Sequence, residues 1–355
     1  MRKALQLAER GRGRTSPNPM VGAVIVDREG VLVGRGAHAF AGGPHAEVHA
    51  LADAGNATQG ATLYCTLEPC THVGRTGPCA PLVADAGIAR VVVATEDPNP
   101  LVAGRGLRLL RDRGIEVVSG VLAAEAERLN RPFFTLMRAH RPFVTMKVAL
   151  SADRMVAGSP GERTPLTSDL ANRHVHRERA ETDAIAIGSG TLLADDPVLT
   201  ARGAYRTRPL VRVIFDRRLR TPPSARLFTT LSSGPVIIMG SSAAEERNPA
   251  AVRALCDAGA TIESPPDGRL RTALESLAAR GITALIVEGG PRLHRVFWDK
   301  ELVDRVQIYG TPAVLGDQGV PWLPFDVASS PLVTELTMVR LGPDTLMEGY
   351  VHRTD

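Results

Sequence analysis

The chain has 355 residues, of which 44% are hydrophobic and 23% charged, an ordinary globular composition in a length that exceeds one usual hydrophobic core. The formal net charge is +4, from 42 Lys and Arg against 38 Asp and Glu, which gives little support for nucleic-acid binding. No apolar stretch reaches the roughly 20 residues that span a bilayer, and the N-terminus becomes charged too soon for a signal peptide. We therefore expect two domains in a cytoplasmic protein.

The first part of the chain alternates between strand-like runs and Ala- and Leu-rich helix-like runs. The strand-like runs are VGAVIV (21–26), ATLYCTLE (61–68) and RVVVAT (90–95). This alternation predicts an α/β domain, because helices then cover the faces of the sheet that the strands form.

A domain boundary is predicted around residues 130–142. Two prolines and several arginines in NRPFFTLMRAHRPF are expected to interrupt regular structure before a new strand, FVTMKVALS, begins. The predicted domains are therefore residues 1–140 and 141–355. The second part repeats the alternation and is also predicted to be α/β, with strand-like runs at 184–191, 210–216, 235–240, 284–290 and 303–316.

Three of the four cysteines, Cys65, Cys70 and Cys79, lie within fifteen positions, whereas Cys256 is distant. This clustering favours a local metal site over a disulfide framework. His45, Cys70 and Cys79 make a set of three ligands. Catalytic zinc commonly keeps three protein ligands and one water, whose pKa falls to about 7. We therefore predict that these residues bind Zn²⁺ and that the site provides a nucleophile at neutral pH.

Glu47 is the predicted acid/base residue of this site. A helix is expected to begin at residues 43–44 and to carry His45 and Glu47 in its first turn, and Pro69 and Pro78 are expected to precede cysteines at further helix starts. Glu47 lies about 200° round the helix from His45, so it cannot easily bind the same ion. It is therefore free to transfer protons.

Two alternatives concern the metal ligands. His45 and His49 have the spacing of the histidines in zinc metalloproteases. Those enzymes have glutamate directly after the first histidine, where Ala46 stands here, and the two cysteines would be left unexplained, so His49 is interpreted as structural. The other alternative is a closed zinc site with His72 as fourth ligand, which would leave Glu47 without a task.

The motif HAE at 45–47, followed by a Pro-Cys pair and Cys79, resembles the zinc nucleobase deaminases, in which hydroxide displaces an amino group as ammonia. Eight residues separate Cys70 and Cys79 rather than the commoner two. This spacing, with SPNPMVGAVIV and TLEPCTHVGRTGPC, resembles the riboflavin-pathway branch. The resemblance implies a cytidine-deaminase-like three-layer α/β/α domain, with Asn18 against the pyrimidine. An Asn between prolines is otherwise usually a turn residue.

The second part contains no GxGxxG after a strand. Its IVEGGP segment places Gly289 and Gly290 after a strand ending in Glu288, where backbone N–H groups can approach phosphates. An ordinary strand-to-helix turn fits this segment equally well.

MKVALSADR, LTSD, AIAIGSGTLLADDPVLTAR and IVEGGPRL occur in the order seen in the riboflavin-pathway reductases, which have a dihydrofolate-reductase-like α/β fold. The two resemblances cover nearly the whole chain, in the order found in the bacterial fused deaminase–reductases. They imply zinc-dependent deamination of 2,5-diamino-6-(5-phosphoribosylamino)pyrimidin-4(3H)-one, then NADPH-dependent reduction of its ribosyl group to ribityl. They also imply a phosphorylated small-molecule substrate, no nucleic-acid or membrane partner, and a homo-oligomer.

The resemblance also assigns reductase residues position by position. The positions implied to contact NADPH are Ala149, Thr191, Asp195, Gly290, Pro291, Arg292 and Leu293. The positions implied to contact substrate are Lys147, Arg179, Leu199, Arg202 and Glu288. Guanidinium groups can form paired hydrogen bonds with phosphate oxygens, and Glu288 can accept a hydrogen bond from a sugar hydroxyl. Lys147 could protonate or orient the new alcohol. Asp195 also fits an ordinary loop position, and Arg179 a solvated helix position.

Two positions depart from the reductase pattern. Arg154 stands where the family has a glycine-containing turn, and Pro165 stands where an aromatic residue commonly precedes the Thr-Ser pair. The first change restricts the backbone and the second removes a stacking surface. They predict a weakened reductase or an altered cofactor preference.

Two other functions account for part of the sequence. A nucleic-acid deaminase, such as a tRNA editor, shares the zinc motif, but it needs a concentrated basic surface, and the reductase-like half would be unexplained. A non-catalytic zinc-stabilised binding protein predicts metal-dependent folding without ammonia release or NADPH oxidation.

Overall fold

The computed structural model describes residues 1–71 and 77–352. The chain divides into two compact units, Met1–His140 and Arg141–Asp355. No helix among the described residues is long and apolar enough to cross a bilayer.

The first unit is built on a five-stranded mixed sheet with the strand order β2-β1-β3-β4-β5. Strand β1 pairs antiparallel with β2 and β3, whereas β3, β4 and β5 run parallel. The strands are β1 Gly22–Val26, β2 Leu32–Ala37, β3 Thr62–Cys65, β4 Arg90–Val93 and β5 Glu116–Ser119. The helices are α1 Arg2–Ala8, α2 Ala46–Ala54, α3 Cys79–Asp85, α4 Arg105–Asp112, α5 Ala123–Leu129 and α6 Arg131–Ala139, with short 3₁₀ turns at Glu9–Gly11 and Gly55–Thr58.

Glycines allow α1 and α2 to pack directly on the backbone of this sheet. A Cβ at Gly22 would lie 2.0 Å from the carbonyl oxygen of Ala4 in α1, and a Cβ at Gly36 would lie 1.9 Å from that of Ala46 in α2. Gly22 is paired with Ala37, the neighbour of Gly36 in β2, so the two glycines face opposite sides of the sheet. The unit therefore has the three α/β/α layers expected from the sequence.

The predicted interruption at residues 130–142 is wrong for most of its length. Helix α6 runs from Arg131 to Ala139, with Pro132 in its first turn, where a missing N–H is tolerated. Phe133 and Phe134 are buried in the core, and this burial stabilises the helix.

The second unit is built on a nine-stranded sheet with the order β11-β10-β9-β8-β12-β6-β13-β16-β15. Its strands run parallel from β11 to β13, and the last two pair antiparallel. These strands are β6 Phe143–Leu150, β8 Ala184–Gly188, β9 Val211–Phe215, β10 Val236–Met239, β11 Ala260–Glu263, β12 Ala284–Val287, β13 Arg305–Gly310, β15 Val333–Leu341 and β16 Asp344–Val351. A two-stranded sheet pairs β7 Met155–Ala157 with β14 Val320–Pro321. The helices are α7 Asp169–Glu181, α8 Ser189–Asp195, α9 Ser242–Arg247, α10 Pro249–Asp257, α11 Leu270–Ala279 and α12 Pro291–Asp299, with a 3₁₀ segment at Arg226–Ser233.

The large sheet has a hydrophobic core on each face. Along β8, Ala184 and Ala186 belong to one buried cluster, whereas Ile185 and Ile187 belong to the other. Because β8, β12, β6 and β13 are parallel, their carboxyl ends meet at one edge of the sheet, where α/β proteins usually bind ligands. The strand predicted at 184–191 ends at Gly188, because α8 begins at Ser189 on this edge.

Gly36→Ala is expected to destabilise the first unit by about 1–3 kcal/mol, because the added methyl group overlaps the backbone of α2. It should also lower the amount of metal that the purified protein retains. Calorimetric unfolding and metal analysis would measure both effects. Arg35→Ala is the matched control because Arg35 is the exposed neighbour on β2. Equal stability of the two variants would contradict close packing at Gly36.

Candidate active sites

Three predicted metal ligands meet in the first unit. The ligand atoms of His45, Cys70 and Cys79 all lie within 4.8 Å of one another. His45 Nδ1 is 3.6 Å from Cys70 Sγ and 3.2 Å from Cys79 Sγ. In the described part of the chain, no other group of three His, Cys, Asp or Glu residues has this metal-binding geometry.

Two helix starts position these ligands, partly as predicted. His45 is the N-cap of α2, which begins at Ala46, and Cys79 is the first residue of α3. Cys70 lies in an irregular segment, so the helix predicted to start there is wrong. Its Sγ instead accepts the backbone N–H of Cys79 at 3.4 Å. The start of α3 thus provides one ligand and fixes the position of another.

The charges of this group suit a divalent cation. A hydrogen bond between the Cys79 thiol and the Cys70 sulfur, with a smaller contribution from His45, lowers the pKa of Cys70 to about 4. The same hydrogen bond, together with burial, raises the pKa of Cys79, because a second thiolate beside the first is repelled. A bound cation removes this repulsion, and two thiolates with one imidazole are ligands that zinc prefers. The residues present therefore fit zinc.

Glu47 lies in the first turn of α2 and is 3% exposed. Burial raises the pKa of its carboxyl group to about 7. Its Oε2 has no hydrogen-bond partner among the described residues. A carboxyl group with this pKa can both accept and release a proton near neutral pH.

One of the two alternative ligands, His49, does not join the group. His49 is exposed and is not among the clustered residues. His72, the fourth ligand of the closed site, lies outside the described residues.

Asn18 lies beside the metal-binding group through a histidine that the sequence analysis did not identify. Its Nδ2 is 3.3 Å from Nε2 of the buried His38, whose Nδ1 is 3.1 Å from the carbonyl oxygen of Pro44. The rings of His38 and His45 pack edge to face, 5.4 Å apart. Because the carbonyl requires an N–H at Nδ1, the neutral ring accepts from Asn18 at Nε2, so the amide oxygen Oδ1 of Asn18 is the atom that can accept a hydrogen bond from a ligand.

Glu68 is a second residue that the sequence analysis missed. Its buried carboxylate accepts four backbone N–H groups, those of Asp97, Gly104, Gly106 and Leu107, at 2.8 to 3.3 Å. Glu68 thus caps α4 from a position two residues before Cys70. A carboxylate in an apolar run directly before a Pro-Cys pair was the available signal.

In the second unit, three predicted substrate residues form one buried charge cluster. Glu288 Oε1 and Oε2 each accept from Arg179 at 2.8 Å, and Lys147 Nζ is 3.4 Å from Oε2. Burial opposes ionisation of Glu288, but Arg179 and Lys147 together hold its pKa well below its usual range. The cluster therefore contains two cations and one carboxylate at the carboxyl end of β12, level with Lys147 in the middle of β6.

The predicted cofactor residues of α8 and α12 also meet at this edge. Gly290 is the N-cap of α12, and its Cβ position is 3.3 Å from Thr191 Oγ1. A Cβ at Gly289 would lie 2.7 Å from Leu293, so a larger residue would not fit in this turn. An open helix start beside a hydroxyl is suited to a phosphate group. These residues therefore fit a dinucleotide such as NADPH.

The remaining predicted positions are more scattered. Asp195, at the end of α8, is partly buried, and this burial raises its pKa. Leu199 is 3% exposed within the core, so its side chain faces other apolar residues. Arg202 is exposed and contacts His176, and Arg292 is exposed on α12. Pro291 follows Gly290, and Ala149 pairs with Tyr309 of β13.

The structure explains one of the two departures from the reductase sequence pattern, the one at Arg154. Arg154 has a φ of 66°, a left-handed conformation that favours glycine, so the family glycine suits this turn. Its guanidinium group pairs with Asp326 at 3.3 Å. Nothing in the structure explains Pro165.

His294 connects α12 to the last residue of β12 through a hydrogen bond. Its ring is fully buried, with Nε2 3.1 Å from the carbonyl oxygen of Val287 and Nδ1 2.9 Å from Trp322 Nε1. The indole N–H donates to Nδ1, so the ring is neutral and donates from Nε2. Val287 directly precedes Glu288, so this bond helps to hold Glu288 in place.

Comparison with known proteins defines the class of the chain. Residues 1–95 match the cytidine and deoxycytidylate deaminase zinc-binding region, and residues 142–347 match the RibD C-terminal domain. The chain is therefore a bifunctional enzyme with a zinc deaminase half and a reductase half. The enzyme class and the two-part α/β fold predicted from the sequence are confirmed, and a non-catalytic binding protein is excluded.

Full-length relatives identify the family. The riboflavin biosynthesis protein RibD of Bacillus amyloliquefaciens is 41% identical over 323 residues, which cover 91% of this chain and 86% of that protein. The structure of Acinetobacter baumannii RibD, form 1, matches with 36% identity and a TM-score of 0.89, over 99% of this chain and 98% of that one. A Thermotoga maritima structure, described as a diaminohydroxyphosphoribosylaminopyrimidine deaminase/5-amino-6-(5-phosphoribosylamino)uracil reductase, matches with 34% identity and a TM-score of 0.85, over 99% and 97%. The chain belongs to the RibD family of riboflavin biosynthesis enzymes, which use Zn²⁺ and NADPH.

His294 is expected to make the second unit less stable as the pH falls. Burial lowers its pKa to about 4, so below pH 6.5 the unfolded chain takes up a proton that the folded unit does not. The free energy of unfolding is expected to fall by about 3 kcal/mol between pH 6.5 and about pH 4. His294→Gln keeps a donor and an acceptor but cannot titrate, so its stability should fall less.

Urea unfolding at pH 7.5 and pH 5, followed by tryptophan fluorescence, would measure this effect. Both tryptophans, Trp298 and Trp322, lie in the second unit. His352→Gln, at an exposed position, is the control. Equal acid sensitivity of the His294→Gln protein and the unchanged protein would contradict a neutral buried His294.

Proposed function

We propose that the first unit deaminates 2,5-diamino-6-(5-phosphoribosylamino)pyrimidin-4(3H)-one and that the second unit then reduces the ribosyl group of the product to ribityl. The main support is the cluster of His45, Cys70 and Cys79 next to Glu47 in the first turn of α2, whose buried Oε2 has no hydrogen-bond partner in the described part of the chain. The name of the Thermotoga maritima relative supports the choice of substrate. We place the deaminase in residues 1–140 and the reductase in residues 141–355.

Glu47 is the proton-transfer residue in this proposal. When bound to His45, Cys70 and Cys79, zinc supplies a Lewis acid that makes water nucleophilic at neutral pH. Glu47 takes up a proton from the attacking water and delivers one to the departing amino nitrogen, which leaves as ammonia. The burial of its carboxyl group beside the cluster favours proton exchange with the substrate over exchange with bulk water. Asn18 holds the pyrimidine through its free Oδ1.

The charge cluster is the substrate end of the proposed reductase. NADPH supplies the hydride, and Gly290 to Leu293, Thr191 and Asp195 are proposed to hold it, with Ala149 at its border. Glu288 accepts a sugar hydroxyl, and Lys147 donates a proton to the oxygen that becomes the alcohol. Arg202 is exposed and suited to the ribose phosphate, whereas Arg179 orients Glu288 through its paired hydrogen bonds. Leu199 is proposed to border the site because the carbonyl oxygen of its neighbour Thr200 accepts a hydrogen bond from Arg179 at 3.1 Å.

The cytoplasmic location, the homo-oligomeric state and the absence of a nucleic-acid partner stay predictions. Size-exclusion chromatography with light scattering tests the oligomeric state. A nucleic-acid deaminase would bind RNA with an affinity that falls steeply with salt, so salt-dependent RNA binding with base deamination would contradict the small-molecule substrate.

Glu47→Gln is expected to lower ammonia release by at least about a hundredfold, because the amide cannot exchange protons. Zinc content and NADPH oxidation with the deaminated intermediate should stay unchanged. Both reactions can be followed in one assay of the zinc-loaded protein. Glu125→Gln, on the exposed face of α5, is the matched control. A fully active Glu47→Gln enzyme would overturn the proposed deaminase mechanism.

Glu288→Gln is expected to slow reduction by about a hundredfold, because the neutral amide neither orients Lys147 nor accepts the sugar hydroxyl as strongly. Ammonia release should continue at its normal rate. The measurement is NADPH consumption with the deaminated intermediate, with Glu246→Gln on α9 as the exposed control. Normal reduction by the Glu288→Gln enzyme would remove Glu288 from the proposed site.

A further inference from the structure

The ammonium group of Lys147 lies over an aromatic ring that the proposed reduction does not use. Its Nζ is 5.4 Å from the centre of the Tyr309 ring. This distance is within the range of attractive cation–π contacts. We infer that Tyr309 is a positioning residue of the reductase, whose ring face holds the Lys147 ammonium at the substrate. This inference rests on the proposed role of Lys147.

The sheet register places the two side chains together. Strands β6 and β13 are parallel neighbours in which Tyr309 is paired with Ala149 and Gln307 with Lys147. Residues two apart on a strand share a face, so Lys147 and Tyr309 lie diagonally on the same face. This contact is therefore set by the strand pairing.

The Tyr309 ring is itself rigidly held. It is fully buried and packs with Ala171 and Val175 of α7. Its hydroxyl oxygen is 2.8 Å from Nδ1 of His174, also on α7. A ring held by both packing and a hydrogen bond presents a fixed face to the ammonium group.

The ammonium group of Lys147 needs a second attractive contact, because the Glu288 carboxylate is shared with Arg179. Arg179 takes both carboxylate oxygens at 2.8 Å, whereas Lys147 reaches only Oε2, at 3.4 Å. A lysine side chain is long and flexible, so one weak contact does not fix its ammonium group. The ring face attracts the cation from another direction. It leaves an N–H of Lys147 free to donate to a substrate oxygen.

The electrostatic character of the ring is the property to test. Phenylalanine analogues with increasing numbers of fluorine atoms, incorporated at position 309, keep nearly the same shape but progressively weaken the negative potential of the ring face. We expect kcat for reduction to fall stepwise along this series, while the KM for NADPH stays unchanged. Tyr309→Phe should retain most of the activity, because it keeps the ring and loses only the hydrogen bond to His174.

A double-mutant cycle separates positioning from folding. Tyr309→Leu is expected to lower kcat for reduction roughly tenfold. In a Lys147→Met background, where reduction is already slow, the same change should have no further effect. Ammonia release by the same chain reports whether each variant is folded and correctly assembled in its first unit, and tryptophan fluorescence reports the second.

Each outcome has a definite meaning. Normal reduction by Lys147→Met would overturn the proposed role of Lys147 and this inference with it. Slow reduction by Lys147→Met together with a flat response to ring fluorination would overturn the role of Tyr309 alone. An equal loss from Tyr309→Leu in both backgrounds would also overturn it, because the ring would then act through the fold. If Tyr309→Leu does not fold, the fluorinated series still decides the question.

Discussion

The close approach of α2 to β2 is the constraint on which the deaminase site depends. Gly34 and Gly36 leave no side chain between this helix and the strand, so the carbonyl oxygens of Ala46 and Ala50 lie against the strand backbone. This packing fixes the distance between the first turn of α2 and the sheet. Because His45 caps this helix and Glu47 lies in its first turn, one packing contact sets the positions of both a predicted metal ligand and the proposed proton-transfer residue.

Burial then determines the protonation states of these groups. Glu47 is shielded from water, which raises its pKa to about 7, whereas the thiols of Cys70 and Cys79 compete for one proton until a cation neutralises them. In the reductase unit, neighbouring charges outweigh the effect of burial on the pKa of the carboxyl group. Glu288 is also largely enclosed, with a side chain 9% exposed, but two cations keep it ionised. The same side-chain type can therefore act as a proton carrier in one unit and as a fixed negative charge in the other.

Local motifs explain why much of the first site was predictable. Histidine, glutamate and cysteine have few alternative roles at this spacing, so the sequence predicts His45, Cys70 and Cys79 as metal ligands, and the structure places their ligand atoms within 4.8 Å of one another. The errors occurred where packing decides. The helix predicted at Cys70 is absent, and α6 forms in spite of Pro132 because Phe133 and Phe134 reach the core. Glu68 was missed because the N–H groups that it accepts lie 29 to 39 positions away, and His38 was missed because its contact with Asn18 joins residues 20 positions apart.

The sequence by itself determined the α/β class and the resemblance to a fused deaminase–reductase, and it predicted the metal ligands and the acid/base glutamate, because each rests on residue types at short spacings or on hydrophobic periodicity. Only the tertiary structure decided that Arg179 pairs with Glu288, that Leu199 is buried in the core, and that Tyr309 lies beneath Lys147. These facts depend on strand order and register. Such pairings join residues more than a hundred positions apart, and no local pattern of side chains specifies them.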